Sequence, residues 1–268
     1  AGAEFENIIC TAYNMKSLRQ DKEQAIQSAE TKWKPLYNDW LDVGHKIVKG
    51  SFGNPKGTMK HFGSGNSPLT SEWDSYFIKT TGKSAGASTK TPKTDMYIGN
   101  ERISLKKYGG SQLMSGGKAE TLATLAAAYD KIPQNIKSSV LDESWNSLTD
   151  TIEKEFVTFK LPAGGQITKY KRAIKAGVDD DMTNFVKEKL IGQKKLTEAL
   201  SELLSTKEIN REVVREAMTG NQKFKDPLPK STHIMKFDER GKSSYVKIDD
   251  KYVDYVASQT SFNISFKT

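Results

Sequence analysis

The sequence predicts an α/β protein, with α+β as the alternative: a small mixed central sheet flanked by helices and carrying a helical insertion. Three observations lead to it. Apolar residues at the start recur at helical spacing. Short β-type runs near residues 96–106 and 233–248 are bounded by glycine, asparagine and proline. Between them lies a long stretch of helical periodicity.

Taken in order, Phe5, Ile8, Ile9, Ala12 and Tyr13 form an i, i+3, i+4, i+7, i+8 stripe. A second helix is expected from Gln20 to Val48, with Pro35 at its start, at a break or at a kink, and Trp33, Leu36, Tyr37, Trp40 and Leu41 on its buried side. From Gly50 to Gly117 the texture changes to turns, mobile loops and short strands, because twelve of the twenty glycines lie there. Met96–Ile98 and Arg102–Lys106, parted by Gly99-Asn100-Glu101, suit a hairpin. Helices are expected from Ala119 to Ile132, along Leu141, Trp145, Leu148, Ile152, Phe156 and Phe159, and along Leu196, Leu200, Leu203 and Leu204. After Pro227 and Pro229, the segments 233–237, 245–248 and 262–266 read as strands. The expected organisation is one domain over 1–268, with 133–225 as the helical insertion.

Composition narrows the function. With 36% hydrophobic and 28% charged residues, the chain has a soluble balance, and no apolar run approaches the length of a membrane helix. No basic region followed by an apolar run opens it, so no secretory signal is expected. One cysteine, Cys10, excludes an internal disulfide, and with three histidines no zinc finger is expected. A reducing, cytoplasmic setting follows. The net charge is +8, and His45 to Lys118 holds twelve Lys/Arg against four acids, which equals that whole excess. Such a concentrated basic segment suits a polyanion, most simply nucleic acid, although a solvated lysine-rich loop surface has the same composition. Lys56, Lys60, Lys83, Lys90, Lys93 and Lys107 are the expected backbone contacts.

The chemistry-bearing residues surround the hairpin. Asp95 opens one strand and Lys106 stands near the end of the next, so antiparallel pairing brings them together. Period-two alternation places Ser104 and Lys106 on one face. A carboxylate beside a lysine at a sheet edge suits phosphodiester hydrolysis: the acid holds Mg²⁺, for which Mn²⁺ can substitute, and the lysine offsets negative charge. Glu120, at the start of the next helix, supplies a second carboxylate. Gln112, between strand and helix, is placed to hydrogen-bond a phosphate or the lysine.

The order of helix with glutamate, strand with aspartate, strand with x-Lys, then helix resembles the PD-(D/E)XK, or restriction endonuclease-like, nuclease superfamily. Ser104 stands where an acid is usual two residues before the lysine. Serine there, with the glutamate moved to the next helix, occurs in a branch of type II restriction enzymes, and Lys106-x13-Glu120 matches that spacing. The Asp95–Ser104 interval is shorter than in those enzymes. Gly2-Ala3-Glu4-Phe5-Glu6-Asn7 also looks like the family's first helix. The resemblance covers residues 1 to about 130 with a later strand or two, and places the helical block outside the minimal core. It implies Asp95 and Glu120 as metal ligands, Glu6 as a further ligand, and Lys106 as the catalytic lysine, with Ser104 and Gln112 positioning the lysine or phosphate. The implied activity is metal-dependent DNA endonuclease, restriction-like, repair-like or phage-type, with a homodimer favoured for action on both strands.

Plain structural uses exist for the same residues: Asp95 as a turn opener, Lys106 and Lys107 as a charged strand end, Glu120 as a first-turn acid, and Glu6 as a residue of the first helical turns. The alternatives are a non-catalytic DNA-binding or phage structural protein on such a scaffold, and an RNA-processing protein. Ser265-Phe266-Lys267 is a rival Ser-x-Lys without a following helix. Gly82-Lys83-Ser84 ends like a phosphate loop, but Phe77 stands where that motif needs glycine. Cys10 falls on the apolar stripe and reads as a core thiol, not as a partner of His45, His61 or His233; His45 and His61 read as solvent or phosphate contacts. Residues 210–224 read as a helix, a glycine cap and a basic-aromatic tip, either a plain helix end or a DNA contact through Arg211, Lys223 and Lys225.

Overall fold

The computed structural model describes residues 2–28, 34–63, 71–87, 91–109, 118–155 and 166–262. Three helices come first: α1 (Gly2–Leu18), α2 (Lys22–Ser28) and α3 (Lys34–Phe52). The expected stripe on α1 is buried at all five positions. The expected helix from Gln20 to Val48 is described as two helices. Pro35 falls in the first turn of α3, where its missing N–H leaves no bond unmade. Helices α1 and α3 pack closely at Gly44, where a Cβ would lie 2.8 Å from Ile8 Cγ2 and 3.2 Å from the Ala12 Cβ.

A five-stranded sheet follows, built from β1 (Met59–His61), β2 (Met96–Ile98), β3 (Glu101–Lys107), β4 (His233–Phe237) and β5 (Ser243–Lys247), in that spatial order. Neighbours are antiparallel except β3 and β4, which are parallel. The hairpin has Ile98 opposite Glu101, and Gly99, with φ of +54°, takes the first position of its two-residue turn. The parallel pair needs a crossover, and the chain between β3 and β4 carries α5 (Lys118–Asp130), α6 (Ser139–Glu155), α7 (Ile167–Lys175), α8 (Asp181–Ser205) and α9 (Lys207–Thr219).

Outside the expected helical block, two helices appear where none was expected. Helix α4 (Trp73–Thr81) lies in the glycine-rich segment, and α10 (Asp250–Gln259) follows β5. Only Trp73 and Phe77 of α4 are buried, too few apolar positions for a visible period. Gly82 is its left-handed C-cap, with φ of 73° and its N–H donating to Ile78 O at 2.8 Å. Gly82-Lys83-Ser84 is therefore a helix end, not a phosphate-cradling loop that opens a helix. At α10, Asp249 Oδ1 accepts the Tyr252 N–H at 2.8 Å, a side-chain cap on the helix start.

One sheet face forms the core. Met59, Met96, Ile103, Leu105, Met235 and Phe237 pack against Phe5, Ile9, Ala12 and Tyr13 of α1 and Leu41, Ile47 and Val48 of α3. Alternation turns Ser104 and Lys106 to the other face.

The chain divides into two compact units, one of residues 1–127 and 213–256, the other of 128–212 and 257–268. The first holds the sheet and every residue of the site below. In the second, α6 and α8 pack together and bury Leu148, Ile152, Leu196 and Leu203; Tyr129 stacks on Trp145 with centroids 4.9 Å apart. The expected insertion, 133–225, overlaps the second unit, while its last part, 213–225, belongs with the sheet. Most of the strand expected at 262–266 lies outside the described residues, as do Ser265 and Lys267. Among the described residues, no helix is long and apolar enough to cross a membrane.

Candidate active site

Asp95 immediately precedes β2 and continues its pairing on both sides. Its N–H donates to Ile103 O at 2.8 Å, and its carbonyl accepts the Phe62 N–H at 2.9 Å. The side chain turns towards β3, where Oδ2 accepts the Leu105 N–H at 2.6 Å and the Ser104 hydroxyl at 3.4 Å. Burial, reinforced by the negative charge of Glu6, pushes the carboxyl up to about 6 from its ordinary 3.8. The Leu105 N–H, Lys106 and Ser104 pull the other way. The Ser104 hydroxyl thus points to the aspartate, where the sequence suggested a contact to the lysine or the phosphate.

Glu6 comes from α1, with Oε2 2.6 Å from His61 Nε2 on β1. His61 is thus tied to the site acid, not left to solvent or phosphate. Lys106 lies two residues beyond Ser104 on β3, and its register partner across the parallel pair is Lys236. Two half-buried lysines stand side by side on the site face, a pairing that needs the β3–β4 register to be seen.

Lys93, two residues before Asp95, is not the exposed grip the sequence suggested. Its N–H donates to Pro229 O at 2.8 Å, and its carbonyl accepts the Ser231 hydroxyl. Its ammonium stands 5.4 Å from the centre of the Trp73 ring. Burial lowers its pKa; Glu120 opposes that most strongly, Lys106 adds to it, and Glu216 and Asp95 oppose it. Lys93 therefore shares its field with both the Asp95 end of the site and Glu120.

Glu120, on the first turn of α5, faces lysines. Its Oε1 lies 3.8 Å from the ammonium of Lys223. Lys223 is fully buried (0% exposed), so of the two readings of this segment the phosphate contact through Lys223 is not available. The ammonium donates to Thr91 O at 2.9 Å and lies 4.4 Å from the Trp73 ring centre and 5.3 Å from that of Phe224. Burial and then the nearby Lys93 charge lower its pKa to about 8, against Glu120 and Glu216. Beneath it Glu216, itself buried, accepts Trp73 Nε1–H at 2.7 Å and the Gln222 N–H at 3.0 Å. Burial raises the Glu216 carboxyl, and those bonds restrain the rise.

The other expected residues stand as follows. Lys56, Lys60 and Lys83 are exposed. Lys107 is exposed and paired with Glu239 at 2.6 Å. Lys225 lies 3.7 Å from Glu72. Gln112 and Lys90 fall outside the described residues. Cys10 is buried in the core, and burial pushes its thiol up.

Among the described residues, no three His, Cys, Asp or Glu side chains gather closely enough to hold a metal ion. Two carboxylates, Asp95 and Glu6, do meet electrostatically. Mg²⁺ is commonly held by one or two carboxylates together with water and substrate phosphate, and carboxylate oxygens are the donor type it takes. A cation there would also relieve the repulsion that raises Asp95. No family model matches the chain, and neither does any curated protein or solved structure with which it was compared.

Proposed function

We propose that the chain is a divalent-metal-dependent endonuclease acting on DNA phosphodiester bonds. The observation that carries this reading is Asp95: a half-buried carboxylate fastened to β3, raised by burial and then by Glu6, and lowered by the Leu105 N–H and then by Lys106. Paired acids next to a lysine suit the binding of a cation and a phosphate together. The element order also supports it, since α1 bears Glu6, β2 follows Asp95, β3 bears Ser104-x-Lys106 and α5 bears Glu120, as in the PD-(D/E)XK resemblance.

Asp95 and Glu6 would hold Mg²⁺ or Mn²⁺, which supplies polarisation of a phosphate oxygen and a more acidic bound water. Lys106 offsets the charge that develops on the phosphate, and Lys93 adds a second cation from the strand entry. Ser104 and the Leu105 N–H keep the Asp95 carboxylate in one orientation. His61 does the same for Glu6. Glu120, paired with Lys223, orders the lysines instead of completing the metal shell as the migrated-glutamate spacing implies. Exposed Lys56, Lys60 and Lys83 contribute salt-sensitive attraction to the DNA backbone.

Incubation with supercoiled plasmid plus Mg²⁺ or Mn²⁺ tests the proposal, beside Asp95→Ala and Lys106→Ala. Metal-dependent nicking by the wild type and a loss of about 10²-fold or more in both variants is expected. Equal nicking by all three removes the assignment to this site. DNA binding without nicking under either metal moves the reading to a non-catalytic binding protein, and preference for RNA in competition moves it to RNA processing.

A further inference from the structure

Lys223 is an unusual residue to bury completely, because an ammonium without partners in the interior carries a large desolvation cost. Its surroundings meet that cost from four directions. Trp73 of α4 offers a ring face at 4.4 Å, Phe224 another at 5.3 Å, Thr91 a carbonyl at 2.9 Å, and Glu120 of α5 a carboxylate at 3.8 Å. The floor is fixed as well, since Trp73 is held through its indole N–H by Glu216 at 2.7 Å. Those contacts join α4, α5, the turn after α9, and the segment Thr91–Asp95 that leads into β2.

That segment carries the chemistry. Thr91 is two residues before Lys93 and four before Asp95. The same segment is gripped from the β4 side, where Pro229 O accepts the N–H groups of Lys93 and Thr94 at 2.8 and 3.2 Å, and the Thr94 hydroxyl donates to Lys230 O at 2.6 Å. The Lys223 ammonium fastens the start of the segment and at the same time holds Glu120, the acid that most strongly supports the charge on Lys93.

We propose that Lys223 is a positioning residue of the site: a buried ammonium that clamps the Thr91 carbonyl and the Glu120 carboxylate together, and thereby sets Lys93 and Asp95 for the phosphate. The inference rests on the nuclease reading for its catalytic consequence, but the clamp itself can be tested without catalysis. Lys223 touches no substrate here. A lysine serves better than arginine, because one compact ammonium reaches a carbonyl, a carboxylate and a ring face together, whereas a planar guanidinium spreads its donors in a fork.

The test compares wild type, Lys223→Met and Lys223→Arg in plasmid nicking, DNA binding, and hydrogen exchange over residues 91–95. In Lys223→Met, kcat should fall about 10- to 100-fold with DNA affinity within about twofold of wild type, a split expected when orientation rather than binding is lost. Lys223→Arg should fall between the two. Exchange over 91–95 should rise in Lys223→Met while β3 and β4 are unchanged. Wild-type kcat in Lys223→Met, or equal losses of kcat and DNA affinity, overturns the proposal, as does unchanged exchange over 91–95. If Lys223→Met fails to fold, Lys223→Arg decides: reduced kcat with unchanged DNA affinity supports the clamp, and wild-type kcat overturns it. A wild type that never nicks, combined with raised exchange in Lys223→Met, sinks the nuclease reading and leaves the clamp standing.

Discussion

The carboxylate of Asp95 accepts the backbone N–H of Leu105 at 2.6 Å, so the acid that precedes β2 is fastened to the strand residue next to Lys106. A side chain that bonds the backbone of the neighbouring strand cannot drift without loosening the ladder. Acid and lysine are thereby held by one hairpin, and Glu6 is brought to them by the helix beneath. The same arrangement places a carboxylate in a buried setting beside a second negative charge, which has a consequence for stability.

Asp95→Asn should stabilise the protein near neutral pH in the absence of divalent cations and abolish nicking. The folded carboxyl titrates at about 6 and the ordinary value is 3.8. Between those values the folded state holds a proton that the unfolded chain has released, so stability falls as pH rises through that window and is level above it. The whole effect is at most about 3 kcal/mol. Thermal unfolding from pH 3.5 to 8 should show the variant matching wild type at the acid end, pulling ahead as pH rises past about 4, and holding its full margin above about pH 6. A variant no more stable than wild type at pH 7.5 would contradict the strained carboxylate.

His61→Ala should raise the Mg²⁺ concentration needed for half-maximal nicking by about tenfold, with less effect on the rate at saturating metal. The imidazole stands 2.6 Å from Glu6 Oε2 and fixes the orientation of that acid. Removing a group that orients a ligand weakens metal binding more than it changes the chemistry at full occupancy. A metal titration of nicking in both proteins decides it, and superimposable curves would exclude Glu6 from the metal shell.

How much of this was legible depends on how far apart in the chain the partners lie. The α1 stripe is one helix face, and the meeting of Asp95 with Ser104 follows from a two-residue turn and period-two alternation, so both can be read locally. Lys223 could not be read this way. Beside Phe224 and after a glycine cap it looks like a surface tip, and it is buried by Trp73 and Glu120, which reach it from distant parts of the chain. The Trp73–Glu216 bond spans 143 residues and leaves no local signature. Glu120 shows a third limit: its spacing from Lys106 puts it at the start of a helix, but which way it faces depends on how α5 packs. There it meets Lys223.

Gly220→Ala should cost about 1–2 kcal/mol of stability and reduce nicking. Gly220 has φ of +63°, and an added Cβ would lie 2.9 Å from Lys93 Cγ. Gly241→Ala provides the control. Its φ is +90°, and its Cβ would meet the side chain of Lys46, a residue with no part in the candidate site. Both should lower the urea midpoint, and only the Gly220 variant should lower the nicking rate. Equal nicking losses would mean that the effect is global destabilisation and not displacement of Lys93.

Trp73→Phe separates the ring from its hydrogen bond. The phenyl face remains available to the Lys223 ammonium, but Glu216 loses the indole N–H that it accepts at 2.7 Å. That bond is the largest influence lowering a carboxyl which burial has already raised above its ordinary 4.5. Without it the folded-state value rises further, so the folded protein holds its proton to still higher pH. The sign then follows: the variant should be near wild type at pH 4, below the folded-state value of both proteins, and should fall behind once pH passes the wild type's own folded-state value, which lies above 4.5. A buried carboxylate that loses one donor costs about 1–3 kcal/mol, and the deficit should approach that figure by pH 8. Chemical denaturation of the pair at pH 4, 6 and 8 measures it. A deficit of the same size at every pH would assign the loss to packing of the smaller ring rather than to the charge on Glu216.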